Sequence, residues 1–291
     1  MKHKIGLVLG GGGGKGAFQI GVWKALCEYK LDKKISCISG SSIGALNTVL
    51  FSQKNAQEAL DIWSNLDMGV ALSTRSIKDV ITKKGLFSRD GLKKLIHENL
   101  DLSLVNKCKR DLYICATNID DQVPTYFHIN DESVDTIESI LLASSAIPVI
   151  FDRVSINEKR YMDGYKYANV PIKPLLELGC HTLFVVDLNG TYVPSEEELG
   201  YGARFISISS PFNAFGFASG TLSFRQETIQ VRIEHGYYVA RQMIEHLRKE
   251  GIIAITLKEK IKKFFSRKKE YANFYYLKKE EIEHQINIKK K

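Results

Sequence analysis

Five consecutive glycines close the first apolar segment of the chain and limit its fold more than any other feature. The run Gly10–Gly14 follows the apolar residues 4–9, and Lys15 and Gly16 lead from it into a segment with helical spacing. Without a Cβ, glycine lets the backbone turn its amides toward one point and lets a ligand come close. A strand, a glycine turn and a helix in this order predict the opening of a parallel α/β sheet.

A second tight turn follows the next apolar strand. Ile35–Ser39 predicts this strand, and the pentapeptide GSSIG at 40–44 has the Gly-x-Ser-x-Gly spacing before another helical segment. Gly40 and Gly44 let a strand and a helix pass closely, and the turn then presents the hydroxyl of Ser42. Ser42 is therefore the candidate nucleophile.

The chain continues to alternate strands and helices up to about residue 250. We predict strands at Asp111–Thr117, Tyr126–Asn130, Val154–Ile156, Lys159–Met162, Thr182–Leu188 and Phe205–Ser209, and helices at 16–30, 44–53, 56–66, 89–100, Val134–Ser144, Val170–Leu178 and 223–247. The nearly all-apolar strand at 182–188 is typical of the centre of a parallel sheet. We predict one domain over 1–250 and a basic, partly amphipathic extension over 251–291.

The charge distribution and the cysteine pattern indicate the cellular compartment of the protein and the kind of surface that it contacts. The segment from Arg241 to Lys291 holds 15 Lys/Arg and 7 Asp/Glu, which accounts for the whole net charge of +8. No stretch reaches the roughly 20 apolar residues of a membrane span, and the glycine run interrupts any signal-peptide pattern. The five cysteines form no CxxC pair and have no zinc-site spacing, which is typical of reduced thiols. We predict a cytoplasmic protein.

The basic extension has two interpretations. Within 252–265, one helical face carries Leu257, Ile261, Phe264 and Phe265, with lysines elsewhere. A basic amphipathic helix of this kind lies on an anionic bilayer, which would make the protein peripherally membrane-associated. The alternative is a helix packed on the domain with a solvated lysine face. No motif supports nucleic-acid binding.

The glycine run also has the spacing of a dinucleotide-binding loop, Gly11-x-Gly13-x-x-Gly16. That interpretation expects an acidic residue at the end of the second strand, where it binds the ribose. The second strand ends in Ser39-Gly40-Ser41-Ser42, and Asp32 precedes the strand. A phosphate loop would need Ser or Thr after Lys15. A dinucleotide-binding oxidoreductase therefore stays as a weaker alternative.

A nucleophilic serine needs a base, and the histidines do not provide one at a suitable position. None of the seven follows a strand in the way that a hydrolase triad requires; they are His3, His97, His128, His181, His235, His246 and His284. Asp163 is the better candidate, because it lies at an Asp-Gly turn after a predicted hairpin. A carboxylate held against a serine hydroxyl can accept its proton if burial raises the pKa of the carboxylate.

Together these motifs resemble those of the patatin-like phospholipases, a family of lipid acyl hydrolases. The resemblance rests on GGGGGKG at 10–16, GSSIGALN at 40–47, ASSAIP at 143–148, MDGY at 162–165 and NVP at 169–171. It extends to GLFSRDGLKKLI at 85–96, ATNID at 116–120 and VVDL at 185–188, and covers about residues 4–245.

The resemblance implies a three-layer α/β/α sandwich with a mainly parallel central sheet. It implies that Ser42 attacks a lipid or phospholipid ester, that Asp163 is the general base, and that no metal or organic cofactor takes part. The implied oxyanion hole consists of backbone amides of Gly11, Gly12, Gly13 and Gly14. The supporting motif residues are Lys15, Gly16, Gly40, Gly44 and Gly164.

One residue departs from the family pattern. Tyr165 stands where Gly or Ala usually follows the Asp-Gly pair, and a tyrosine there would narrow or cap the pocket. The departure concerns substrate range more than catalysis. A lipid-binding protein that keeps this fold without activity is the second alternative.

Overall fold

The chain folds around one central sheet, in which most neighbouring strands are parallel. A computed structural model describes residues 4–66, 90–147, 151–209, 221, 223–253 and 274–276. The strands are β1 (Ile5–Leu9), β2 (Ile35–Ser41), β3 (Asp111–Asn118), β4 (Val123–His128), β5 (Val154–Ile156), β6 (Lys159–Asp163), β7 (Thr182–Asp187), β8 (Arg204–Ser209) and β9 (Phe274–Tyr275). The path of hydrogen-bonded neighbours is β5-β6-β3-β2-β1-β7-β8-β9, and β4 also pairs with β3.

Helices connect most of these strands. They are α1 (Ala17–Glu28), α2 (Ile43–Gln53), α3 (Ala56–Ser64), α4 (Asp90–Asn99), α5 (Val134–Ser144), α6 (Tyr165–Ala168), α7 (Lys173–Glu177), α8 (Glu196–Gly200) and α9 (Gln226–Lys249). Local capping explains several starts: Asn55 and Glu58 form a capping box on α3, and the Ser133 hydroxyl accepts from the Thr136 amide at the start of α5. Among the described helices, none has the length and apolar character needed to cross a bilayer.

Apolar side chains on the two faces of the sheet belong to separate clusters. Leu7 and Leu9 of β1 pack in the larger cluster, which also holds buried residues of α1, α2 and α9. Val8 points to the opposite face and packs with Leu175 of α7 and Leu183 of β7. Since successive side chains of a strand alternate between faces, both faces of the sheet are covered. The predicted three-layer α/β/α architecture with a mainly parallel sheet is confirmed.

Two strands meet end to end along one edge of β3. Ile114 of β3 pairs with Gly40 of β2 and with β4, so β2 and β4 lie on opposite edges of β3. Ala116 pairs with Asp163 of β6 and also with β4, so β6 lies on the same edge as β2. The parallel β2 ends at Ser41, opposite Cys115, and the antiparallel β6 ends at Asp163, one position further along β3. The residues after Ser41 are therefore brought against Asp163.

Several element boundaries differ from the sequence prediction. The strand predicted at Tyr126–Asn130 spans Val123–His128, because an edge strand tolerates Pro124, which the sequence pattern treats as a break. The helix predicted from Val170 begins at Lys173, after Pro171. The short helices α6 and α8 were missed, since four or five residues carry no helical period. The start predicted for α4, at residue 89, lies outside the described residues.

The predicted C-terminal extension contains one element of the sheet. Phe274 and Tyr275 form β9, which pairs in parallel with Phe205 and Ile206 of β8. Most of 251–291 lies outside the described residues, so the domain division at residue 250 stays a prediction. All five cysteines are free thiols, and the Sγ atoms of Cys37 and Cys180 lie 2.9 Å apart.

Candidate active site

Ser42 occupies the sharp turn between β2 and α2. Its backbone has φ 55° and ψ −123°, a conformation that a residue with a side chain adopts only under constraint. The constraint comes from α5: the Ser42 amide donates to the Ser144 Oγ at 2.8 Å, and that hydroxyl donates to the Cys115 carbonyl at 2.6 Å. Ser42 is 7% exposed. The turn therefore holds its hydroxyl in a fixed, nearly buried position.

The two glycines of the pentapeptide allow this turn. A Cβ on Gly40 would overlap the carbonyl group of Gly44, and a Cβ on Gly44 would overlap the carbonyl oxygen of Leu9. The start of α2 therefore lies directly on β1 and β2, as the spacing predicts.

Asp163 is the last residue of β6 and is 2% exposed. One carboxylate oxygen, Oδ1, accepts the Tyr165 amide at 2.8 Å, and Oδ2 is buried without a hydrogen-bond partner in the described part of the chain. Burial raises the pKa of Asp163 to about 6, while the nearby Ser42 hydroxyl and the Tyr165 amide act in the opposite direction. The structure thus brings Asp163 and Ser42 together, with a carboxylate oxygen open to the hydroxyl.

The C-terminal end of α5 contacts both residues. Besides the bond from Ser144 to Ser42, the Ala146 carbonyl accepts the Asp163 amide at 3.0 Å. The sequence showed these residues only as part of the ASSAIP stretch, without a role. Two adjacent hydroxyls at a helix end, the second of them three residues before Pro148, are the signal that was present.

The glycine run lies directly against Ser42. An ideal Cβ on Gly11 would be 3.1 Å from the Ser42 Cβ and 2.5 Å from the Asn169 Oδ1. The Gly11 amide donates to the Asn169 carbonyl at 3.1 Å, and the Gly14 amide donates to the Thr221 carbonyl at 2.7 Å.

Between these anchors, two amides of the run have no acceptor in the part of the chain that the structure describes. Among the described residues, the amides of Gly12 and Gly13 donate to no carbonyl. Gly13 has a φ of +55°, and it lines the same cavity as Ser42. Of the four amides predicted to form an oxyanion hole, these two are therefore available, whereas those of Gly11 and Gly14 are engaged.

The remaining motif residues support the loop and the turn. The Lys15 Nζ donates to the Asn189 Oδ1 at 3.1 Å, and burial, followed by the charge of Arg232, lowers the pKa of Lys15. Gly16 lies under the Ile43 side chain. Gly164 is the N-cap residue of α6 and packs against the Ser41 hydroxyl.

The Tyr165 side chain is 70% exposed and does not line the described cavity around Ser42.

An apolar cavity of about 120 Å³ opens at Ser42. Most of its wall consists of side chains from α2, α3 and α4, namely Ile43, Leu46, Leu50, Ile62, Trp63, Leu92, Leu95 and Ile96. The polar side chain of Asn47 is satisfied by Gly16, Gln19 and Trp63. The cavity is thus suited to an alkyl group that is attached to a polar centre at Ser42.

The histidines of the described ranges lie away from this arrangement. Among the histidines that the structure describes, none lines the cavity. His235 is buried beside Phe18 in the contact of α9 with α1, and burial lowers its pKa to about 4. Within the described ranges, no group of three His, Cys, Asp or Glu residues is placed to hold a metal ion.

The patatin-like phospholipase family model matches residues 7–176, more than half of the chain. The chain belongs to the patatin-like phospholipase family. The matched range contains the glycine run, Ser42 and Asp163, so the elements that meet around β3 are those that the patatin-like phospholipases share with this chain.

Curated relatives of this patatin-like phospholipase domain are much longer proteins. Lysophospholipase nte1 of Aspergillus terreus is 28% identical over 212 residues, which cover 69% of this chain and 13% of that protein. Neuropathy target esterase sws of Drosophila melanogaster is 28% identical over 195 residues, which cover 64% of this chain and 13% of that protein. The chain therefore spans about an eighth of the length of these relatives.

A solved structure shares the patatin-like fold. VipD from Legionella pneumophila aligns with a TM-score of 0.56 and 14% sequence identity, covering 84% of this chain and 67% of that chain. At this identity the likeness concerns the fold alone.

Proposed function

We propose that this protein is a serine acyl hydrolase that cleaves carboxylic esters of lipids through an acyl-enzyme on Ser42. The observation that carries the proposal is the meeting of Ser42 with the buried carboxylate of Asp163, whose Oδ2 has no other hydrogen-bond partner in the described chain. Membership of the patatin-like phospholipase family and the names of the relatives, a lysophospholipase and an esterase, support it.

In the first step, the Ser42 Oγ attacks the ester carbonyl carbon and its proton passes to the Asp163 Oδ2. Negative charge develops on the carbonyl oxygen, and the amides of Gly12 and Gly13 donate hydrogen bonds to it. The carbon–oxygen bond to the alcohol then breaks, and the alcohol oxygen takes the proton from Asp163. Water repeats the sequence on the acyl-enzyme and releases the fatty acid.

The raised pKa of Asp163 suits this role. A carboxylate of ordinary pKa is a weak base toward a serine hydroxyl, and a pKa nearer to neutral pH increases the driving force for proton transfer. Burial raises the pKa of Asp163 without the help of a neighbouring acid.

The apolar cavity supports a lipid substrate. A dry cavity of about 150 Å³ holds a ring of six carbons, so a cavity of about 120 Å³ accommodates a short length of a single acyl chain. A second, open groove shares Ile62, Leu66, Leu95 and Asn99 with this cavity. We propose that longer chains continue between α3 and α4 into that groove.

We also propose that the basic C-terminal segment places the enzyme on anionic membrane surfaces. The charge balance supports this, because the whole net charge of +8 lies beyond residue 240. A peripheral contact of this kind would bring the cavity close to its lipid substrate.

The two alternatives make different predictions about turnover. A dinucleotide-binding oxidoreductase would bind NAD or FAD tightly and would not hydrolyse esters. A lipid-binding protein without activity would bind acyl chains but release no product.

Hydrolysis of p-nitrophenyl butyrate by the wild type and by Ser42→Ala and Asp163→Asn tests the proposal. We expect each variant to lose at least about a thousandfold in kcat/KM, since members of a catalytic unit are not individually dispensable. Asp131→Asn, at an exposed carboxylate before α5, is the matched control and should keep the wild-type rate. Wild-type rates in both site variants would show that the dyad is wrong, and a wild type without turnover would favour the binding protein.

A further inference from the structure

A second serine faces the cavity beside Ser42, and no group in the described part of the chain forms a hydrogen bond with its hydroxyl. Ser145 is 8% exposed and lines the apolar cavity. Its Oγ is buried and makes no hydrogen bond within the described residues. A buried hydroxyl without a partner destabilises a fold, so the hydroxyl is best explained by a polar group that enters the cavity with the substrate.

The neighbours of Ser145 fix its position relative to the reacting groups. Ser144, one residue before it, accepts the Ser42 amide at 2.8 Å, and Ala146, one residue after it, accepts the Asp163 amide at 3.0 Å. Consecutive Cα atoms are about 3.8 Å apart. Ser145 therefore lies between the residue that contacts the nucleophile Ser42 and the residue that contacts the base Asp163.

The substrate offers two oxygens to a donor at this place. The carbonyl oxygen is taken by the amides of Gly12 and Gly13 in the proposed mechanism, on the glycine-loop side of Ser42. The alcohol oxygen receives its proton from Asp163, so it lies on the Asp163 side, where Ser145 is held.

We propose that the Ser145 hydroxyl donates a hydrogen bond to the alcohol oxygen of the scissile ester as it leaves. This inference rests on the proposed function. When the carbon–oxygen bond breaks, its electron pair moves onto the alcohol oxygen, and Asp163 supplies the proton that neutralises it. Ser145 keeps its own proton and stabilises the charge that builds up before that transfer is complete.

This role has a signature that structural damage would not produce. An alkyl alcohol is a poor leaving group and carries much negative charge in the transition state, whereas p-nitrophenol is acidic and needs little help. Loss of the Ser145 hydroxyl therefore reduces the rate of hydrolysis more for an ester of an alkyl alcohol than for an ester of p-nitrophenol.

The experiment compares ethyl butyrate and p-nitrophenyl butyrate, which share one acyl group, in the wild type and in Ser145→Ala. We expect kcat/KM to fall about tenfold on the ethyl ester and by no more than about twofold on the p-nitrophenyl ester, the size of one hydrogen bond. Thermal unfolding should show a midpoint equal to or above that of the wild type, because an unsatisfied buried hydroxyl is removed. Ser145→Thr, which keeps a hydroxyl, should recover part of the ethyl ester activity.

Ser52→Ala is the matched control. Its hydroxyl donates to the Val49 carbonyl at 2.7 Å within α2, and the residue does not line the cavity. It should hydrolyse both esters like the wild type. An equal loss on the two esters in Ser145→Ala, or no loss on either, would overturn the inference. Failure of the proposed function would show separately, as continued turnover in Ser42→Ala.

Discussion

The carboxyl group of Asp163 is buried, and none of the described cations compensates its charge. Among the described residues, only burial, the Ser42 hydroxyl and the Tyr165 amide shift its pKa, and burial is the largest effect. A carboxylate paired with Lys or Arg would titrate below its ordinary range. Here burial favours the protonated acid, and the ionised carboxylate is a stronger base than that of an ordinary aspartate.

This pKa predicts the pH dependence of catalysis. The value of about 6 lies above the ordinary value of 3.8, so Asp163 is protonated and inactive as a base below about pH 6. We expect kcat/KM for p-nitrophenyl butyrate to rise with pH through a midpoint near 6 and then to stay level. A midpoint near the ordinary aspartate value would contradict the assignment.

The same shift has a consequence for stability. Because the pKa is raised in the folded state, the protonated form stabilises the fold below pH 3.8, and this contribution is lost as pH rises through about 6. A shift of about two pKa units corresponds to about 3 kcal/mol of unfolding free energy. Asp163→Asn, which cannot ionise, should therefore be more stable than the wild type at neutral pH by up to about that amount, as measured by urea unfolding, and the difference should shrink in acid.

At the scale of single residues, the sequence predicted the groups with local signals. Ser42 lies in a spaced pentapeptide and Asp163 at an Asp-Gly turn, and the structure brings them together. Ser144, which anchors the Ser42 amide, was not predicted, because its contact joins residues 102 positions apart. The paired serines at the end of α5 are visible in the sequence, but they do not indicate which distant residue they contact.

At the scale of elements, the glycine loop is held at both ends and open in its middle. Asn169 accepts the Gly11 amide and also donates from its side chain to the Gly11 carbonyl at 3.4 Å, while Thr221 accepts the Gly14 amide. The sequence predicted a loop of free amides, but it did not show which of them the fold would use. That choice depends on the segments after β6 and before α9, which are distant in sequence.

Gly11→Ala tests this arrangement. The new Cβ would lie 2.5 Å from the Asn169 Oδ1 and 3.1 Å from the Ser42 Cβ, so the Asn169 side chain must turn away and the loop and Ser42 must move apart by a few tenths of an ångström. We expect kcat to fall at least about tenfold, since the loss of one oxyanion-hole donor alone costs more than that. Steady-state kinetics with p-nitrophenyl butyrate provides the measurement.

Gly200→Ala is the control for this variant. Gly200 ends α8, and a Cβ there would meet nothing within 4 Å. It should keep wild-type kinetics. If Gly11→Ala did the same, the loop would not be held against Ser42 as described.

At the scale of the whole molecule, the site exists because β2 and β6 run toward each other along one edge of β3. Ser41 and Asp163 pair with adjacent residues of β3, Cys115 and Ala116. The alternation of strands and helices predicted the parallel part of the sheet. It did not predict the meeting, because a short antiparallel hairpin carries no information about which edge it joins.

The basic segment beyond residue 250 makes a prediction at this scale. Replacing four of its lysines with Gln should weaken binding to anionic phosphatidylglycerol vesicles by at least about tenfold, since each lysine near such a surface contributes roughly 1 kcal/mol; these are Lys258, Lys260, Lys262 and Lys263. Cosedimentation provides the measurement. Binding to neutral phosphatidylcholine vesicles should be weaker, and added salt should reduce the anionic binding.

A matched variant replaces four exposed lysines that precede residue 250 with Gln, namely Lys30, Lys33, Lys107 and Lys109. It has the same net charge as the first variant and should bind anionic vesicles more tightly. Equal binding by the two variants would show that the segment has no special role at the membrane.

The most direct test of the account is covalent labelling by an alkyl fluorophosphonate, which reacts with an activated serine. Mass spectrometry of the digested protein should place a single adduct on Ser42, with none on Ser41 or Ser145. Labelling should be slowed at least about a hundredfold in Asp163→Asn, because the hydroxyl loses its base. An adduct on another residue, or labelling of Asp163→Asn at the wild-type rate, would contradict the central claim.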